Sequence, residues 1–309
     1  MNNNKTIDRF RGCLVGHAVA DALGSPFEGL DAGMIYHEAG DARAIVAKPP
    51  LEKLYYSDDT QMMLAVAETL IQCEQIDLEY LCENFANNFD NKRGYGASTQ
   101  DIIEEIQKGG NWEQWQKLSR QSFPNGSYGN GAAMRVAPVG LKFYSNTSNL
   151  IEQTKLSALP THVHPLGIES AVLMALAVGY CVSCNRFDKN EFYNLLQANA
   201  TQDDFQWALS LATELEDDAP LQLLGNGIEA HRSVVTAMVC FTHHLESYSH
   251  TIASAIGLGG DTDTIAAMAG SLSGAYLGIK AIPKNLINLM ENDHKGISYI
   301  DELAQKLYK

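Results

Sequence analysis

Near the C-terminal end the chain reads Ile265-Ala-Ala-Met-Ala-Gly-Ser-Leu-Ser-Gly-Ala-Tyr-Leu277, without a charge and with few bulky side chains. Such a run predicts a buried helix packed through small residues, and the rest of the chain must be built around it. The residues before it, Gly257-Leu-Gly-Gly-Asp-Thr-Asp-Thr264, have the opposite character. Their glycines let the backbone come close to a ligand. Asp261, Thr262, Asp263 and Thr264 then set carboxylates and hydroxyls at a helix N-terminus, an end whose partial positive charge favours anions. All these donors are hard oxygens, which suits Mg²⁺, Mn²⁺ or Ca²⁺ rather than Zn²⁺. A plain helix cap by Asp261 or Thr262 is the simpler alternative. An EF-hand fits poorly. Counting from Asp261, Ile265 and Ala266 stand where that loop needs an oxygen ligand and a glycine. An Asp-x-Asp phosphotransferase loop would follow an apolar strand, whereas Gly259-Gly260 precedes this one.

A second stretch has the same physical form. Tyr55-Tyr-Ser-Asp-Asp-Thr-Gln61 opens a predicted helix carried on by Met62, Met63, Val66, Ala67, Leu70 and Ile71. Two acidic helix starts about 200 residues apart suggest one shared site. Asp58, Asp59, Asp261 and Asp263 would repel one another there unless a cation lay between them.

Net charge narrows the choice of partners. At −15 over 309 residues, the chain lacks the basic excess that binding a nucleic-acid backbone requires. An anionic ligand must therefore be held by local devices: metals, backbone N–H groups and helix ends. The start, Met-Asn-Asn-Asn-Lys-Thr, has no apolar signal core, and the longest apolar run, Ala171 to Val182, is short for a bilayer. Cys181-x-x-Cys184 has metal-ligand spacing but no second pair, and reads as packing. A soluble, cytoplasmic, monomeric protein away from membranes is expected.

Along the chain, helices are predicted over 8–23, 78–89, 99–106, 150–158, 167–182, 187–200, 203–215 and 233–245, with a mixed helical cap over 284–309. Residues 31–54 give no clear pattern. No strand pattern and no linker interrupts this series, so one all-α domain spanning 1–309 is expected, its loops gathered at one site. The loop Ser122-Phe-Pro-Asn-Gly-Ser-Tyr-Gly-Asn-Gly-Ala-Ala-Met-Arg135 is the most glycine-rich. Its backbone N–H groups could hold a phosphate, and Tyr128 could stack on a base. His162 and His164 are expected to hydrogen-bond rather than to bind metal. Glu28, between Phe27 and Gly29, is a loop carboxylate of no particular local meaning.

With these pieces in order, the chain resembles the ADP-ribosylglycohydrolase family. The matching segments are Asp21-Ala-Leu-Gly-Ser-Pro-Phe-Glu28, Tyr56-Ser-Asp-Asp-Thr60, Gly94-Tyr-Gly96, Ser127-Tyr-Gly-Asn-Gly-Ala-Ala-Met-Arg135, Thr161-His-Val-His-Pro165, Gly225-Asn-Gly-Ile228 and Gly259-Gly-Asp-Thr-Asp-Thr-Ile265. The resemblance implies an all-α fold with a binuclear Mg²⁺ or Mn²⁺ centre. It would place one ion on Ser57, Asp58, Asp59 and Asp263 and the other on Asp261, Asp263 and Thr264, with Asp263 bridging. Catalysis would rest on Glu28, Asp59 and Asp263. Ser127, Tyr128, Gly129, Asn130 and Gly131, with His162, would meet the pyrophosphate and adenine, and Gly96 and Ile228 would line the cleft. The implied substrate is an ADP-ribosylated protein or small molecule, joined through arginine, serine, a further ADP-ribose unit or an acetyl ester. Ser57 stands where the family commonly has Thr, and Ala20 where many members have Gly. An inactive ADP-ribose-binding relative and a metal-dependent phosphohydrolase are the competing readings.

Overall fold

The computed structural model describes residues 3–109, 112–216 and 221–309. Among these the chain is helical without a strand; only isolated bridges form, at Asp31–Gly259, Leu54–Met290 and Gly129–Glu229. At the centre lies the helix Thr262–Leu277, buried from Thr262 to Ala275.

Its main partner is the first helix, Asn3–Gly24. Gly12, Gly16, Ala20 and Gly24 recur at every fourth residue and so share one face. Against them the central helix sets Gly270 and Gly274. A Cβ on Gly274 would stand 1.9 Å from the Gly12 carbonyl oxygen, and one on Gly16 would stand 2.8 Å from that of Gly270. At the far end, a Cβ on Gly24 would come within 2.5 Å of the Thr262 carbonyl. The two backbones are thus in contact, and the pairing 12–274, 16–270, 24–262 makes them antiparallel. The consequence is functional: the last turn of the first helix, with Asp21, arrives at the first turn of the central helix, with Asp261 and Asp263. The Thr262 hydroxyl ties the junction by donating to the Gly24 carbonyl at 2.9 Å.

Because that packing leaves no room for a methyl group, Gly274→Ala is expected to cost about 3 kcal/mol of stability, as overpacking does. A urea denaturation midpoint equal to wild type would contradict the backbone contact.

The helices Asp58–Cys73, Pro165–Ser183, Ala230–Thr242 and Tyr248–Gly257 surround this pair over one continuous apolar core reaching from Phe10 to Leu307. Three details differ from the expectation. Residues 31–54 contain two short helices, Ala32–Ala39 and Ala42–Ala47, each capped by an aspartate, Asp31 and Asp41. The C-terminal segment forms two helices, Lys284–Leu289 and Ile297–Leu307. The apolar run at 171–182 belongs to a 19-residue helix that by length and composition could cross a membrane, but 78% of its apolar window is buried inside the protein. Cys181 is buried and every cysteine is free, in keeping with a packing role.

Candidate metal centre and ligand cleft

Two acidic helix starts meet beside the end of the first helix. Ser57 caps the helix Asp58–Cys73, its hydroxyl accepting from the Asp59 amide at 3.2 Å. Asp21 holds this turn from beneath. Its carboxylate accepts from the Ser57 amide at 3.0 Å, the Thr60 amide at 3.1 Å and the Thr60 hydroxyl. From the central helix, the Thr264 hydroxyl donates to Asp59 Oδ2 at 3.1 Å. Asp59 Oδ1 is buried with no hydrogen-bond partner, a costly state for a carboxylate oxygen.

The loop before the central helix is pinned on two sides. The Gly29 amide donates to the Gly260 carbonyl and the Gly260 amide to the Leu30 carbonyl, both at 2.8 Å, so Glu28 is carried on the same frame as Asp261. On the other side the Asp261 amide donates to the Asn226 carbonyl at 2.8 Å, and Asn226 Nδ2 donates to the carbonyls of Leu258 and Gly259. Gly260 takes φ +76°, and a Cβ there would lie 2.2 Å from the Asn226 carbonyl. Only glycine fits that corner.

One carboxylate oxygen each of Asp21, Asp59 and Asp263 lies within 4.8 Å of the others, and the same holds for Glu28, Asp261 and Asp263. Asp263 thus belongs to both groups. Crowding and burial shift the whole cluster. Burial first, then Asp21, raises Asp58 to about 7, and burial raises Asp21 to about 6. Asp59 is held well above the carboxylate range by burial and Asp263, and Asp263 by burial and Asp261. Asp261 rises through burial, and Glu28 through burial and then Asp261. Carboxylates that resist ionisation together, one with an orphaned oxygen, fit a divalent cation, which would replace the missing protons.

The sign of the pH effect follows. Folded values above the unfolded ones stabilise the metal-free protein at low pH, and that contribution is lost as pH rises through 6 and 7. The rise in Tm on adding Mn²⁺ is therefore expected to be larger at pH 8 than at pH 5.5. Equal shifts at both pH values would contradict a proton-linked cation site.

A cleft of about 380 Å³ opens from the cluster. Of the residues expected there, Glu28, Asp58, Gly96, Ser127, Gly129, Asn130, Gly131, His162, Ile228, Asp261, Asp263 and Thr264 line it. Asp59 is buried beneath, and Ser57 lines the neighbouring cavity. The exposed Tyr128 sits between the cleft-lining Ser127 and Gly129, its ring edge-on to His164 at 5.9 Å, and Phe123 contributes an aromatic wall. Two amides of the glycine loop are already committed, Gly129 to the Ser127 hydroxyl and Asn130 to the Ile228 carbonyl. The Asn130 side chain donates to Asp261 at 2.6 Å and so couples this loop to the acidic cluster.

Both histidines hydrogen-bond to their surroundings. His164 Nδ1 accepts from the Leu166 amide at 3.1 Å. His162 Nδ1 lies 2.7 Å from the Thr161 hydroxyl, which accepts from the buried Arg135 at 2.8 Å. Burial and then the charge of Arg135 lower His162 to about 3, so it works as a neutral imidazole. Asp21, Asn226, Arg135 and Phe123 carry parts of this site that the sequence reading did not single out. For Asp21 a signal existed: it is the one acid in the otherwise small and apolar second half of the first helix, Gly12 to Gly24, where His17 is the only other polar side chain.

An all-helical chain whose carboxylates converge beside one cleft defines a protein with a candidate metal site. A sequence model described as ADP-ribosylglycohydrolase matches residues 2–309, and the chain belongs to that family. It is 31% identical to ADP-ribosylhydrolase ARH3 of Homo sapiens over 99% of this chain and 94% of that one, and 31% identical to ARH3 of Mus musculus over 99% and 92%. An uncharacterized protein of Archaeoglobus fulgidus is 30% identical over 98% of this chain and 96% of its own length. Among solved structures, an ADP-ribosylglycohydrolase-related protein complex shares the fold with a TM-score of 0.74 at 23% identity, covering 99% of this chain and 98% of that one.

Proposed function

We propose that this protein is a metal-dependent hydrolase that releases ADP-ribose by cleaving the glycosidic bond to a modified side chain, a polymer unit or an ester. The observation that carries this reading is the sharing of Asp263 between two carboxylate groups at one end of the cleft. Two Mg²⁺ or Mn²⁺ ions would be held there, one by Ser57, Asp58, Asp59 and Asp263 and one by Asp261, Asp263 and Thr264. Asp21 lies close enough to join the first set, but its oxygens already accept from Ser57 and Thr60. Its part is to orient Asp59. When bound, the cations would bind ribose hydroxyls and lower the pKa of a water.

The chain's own groups do the rest. Glu28, at the rim beside Asp261 and with a raised pKa, is placed to handle the leaving-group proton or to position the water. Ser127, Gly131 and neutral His162 receive the pyrophosphate. Phe123 and Ile228 offer apolar walls for the adenine, with Tyr128 beside them. Asn130 orients Asp261 and transmits ligand binding to the cluster. We place the protein in the cytoplasm as a monomer, with no nucleic-acid or membrane partner.

The test is release of ADP-ribose from an arginine-linked peptide, a serine-linked peptide and poly(ADP-ribose), with Mg²⁺, with Mn²⁺ and with EDTA. Release from at least one substrate, abolished by EDTA, is expected. Binding of ADP-ribose without release from any would favour a non-enzymatic binder. Inorganic phosphate from ADP-ribose would favour a phosphohydrolase.

A further inference from the structure

Beside the cleft lies a second cavity, of about 450 Å³. Glu28 and Gly94 line both. If ADP-ribose fills the cleft with its reacting carbon at the acidic cluster, the bond to be broken lies at this shared wall. We infer that the second cavity is the subsite for the leaving group, and that it takes a polypeptide side chain with flanking backbone. The inference rests on the function proposed above.

Three observations support it. First, at about 450 Å³ it has far more room than an acetyl group needs. Second, its back wall is rigid and already satisfied. Arg93 donates to the Tyr56 carbonyl at 2.7 Å and to Glu291 Oε2 at 2.9 Å, and its guanidinium lies 4.0 Å from the centre of the Tyr56 ring. The same loop is fixed to the catalytic turn, since the Asp58 amide donates to the Arg93 carbonyl at 2.7 Å. Third, the rim is exposed and mixed in character, with Tyr55 at 56% exposure, Lys92 and the partly exposed Asp90. Lys53 Nζ stands 5.4 Å from the centre of the Tyr55 ring and steadies it, and an exposed aromatic edge flanked by both charges suits the polar backbone of a peptide. None of these three rim residues belongs to the acidic cluster.

The experiment measures affinity in a Glu28→Gln background with Mn²⁺, where turnover is suppressed. The ligands are ADP-ribose and an ADP-ribosylated peptide carrying the linkage the wild type cleaves fastest, or the serine-linked peptide if it cleaves none. Adding Tyr55→Ala is expected to weaken the peptide about fivefold, the scale of one aromatic contact, and to leave ADP-ribose unchanged. Asp90→Asn should act in the same direction. Peptide and ADP-ribose weakened equally, or neither weakened, would overturn the subsite while leaving the hydrolase reading intact. Failure of ADP-ribose itself to bind would overturn both.

Discussion

Asp263→Asn is expected to lower turnover more than any other single change in the cleft, by roughly a thousandfold or more, because it removes charge from both cation positions. Asp263 is the one carboxylate common to the two acidic groups. The amide would keep the side chain's shape and can still accept from the Thr264 amide, now at 2.8 Å to Asp263 Oδ1. The loss should therefore appear in chemistry and not in folding. Burial and Asp261 already hold the Asp263 carboxyl well above its ordinary range, so the neutral amide relieves repulsion in the metal-free protein. A metal-free Tm equal to or above wild type is expected alongside the lost activity. Activity within about tenfold of wild type, a difference of only about 1.4 kcal/mol in barrier, would contradict the shared role.

Glu28→Gln separates binding from chemistry. Its neighbours Gly29 and Leu30 are tied by backbone bonds to Gly260, so the substitution leaves its placement alone. A group that handles a proton or places a water contributes about a hundred- to ten-thousandfold, and kcat is expected to fall on that scale. ADP-ribose affinity should change little, since Glu28 stands at the rim and offers no donor to a diphosphate. A large loss of affinity at nearly normal kcat would make Glu28 a binding residue instead.

What could be read in the sequence was what local chemistry encodes. Both acidic helix starts were legible because carboxylates and hydroxyls followed by apolar residues at helical spacing form a short-range pattern. The buried central helix was legible from its small residues. Asp21 was not, as a site residue, because its role comes from a crossing of two helices about 250 residues apart in sequence. The spacing of Gly12, Gly16, Ala20 and Gly24 carried the clue, but it acquires meaning only once the partner face of Gly270 and Gly274 is known. The helices within 31–54 were missed because at six and eight residues they are too short to show a period. Their aspartate caps were the only local marker. Phe123 was not singled out because nothing local marks which aromatic residues of the glycine loop face the cleft. Only the fold shows that Phe123 lines the cleft while Tyr128 turns to His164.

The most direct test of the two-cation account is an anomalous-scattering map from crystals of the protein grown or soaked with Mn²⁺. Two peaks are expected roughly 3.5–4 Å apart, the spacing of paired catalytic ions, with Asp263 touching both. A single peak, or two peaks that share no ligand at Asp263, would contradict it.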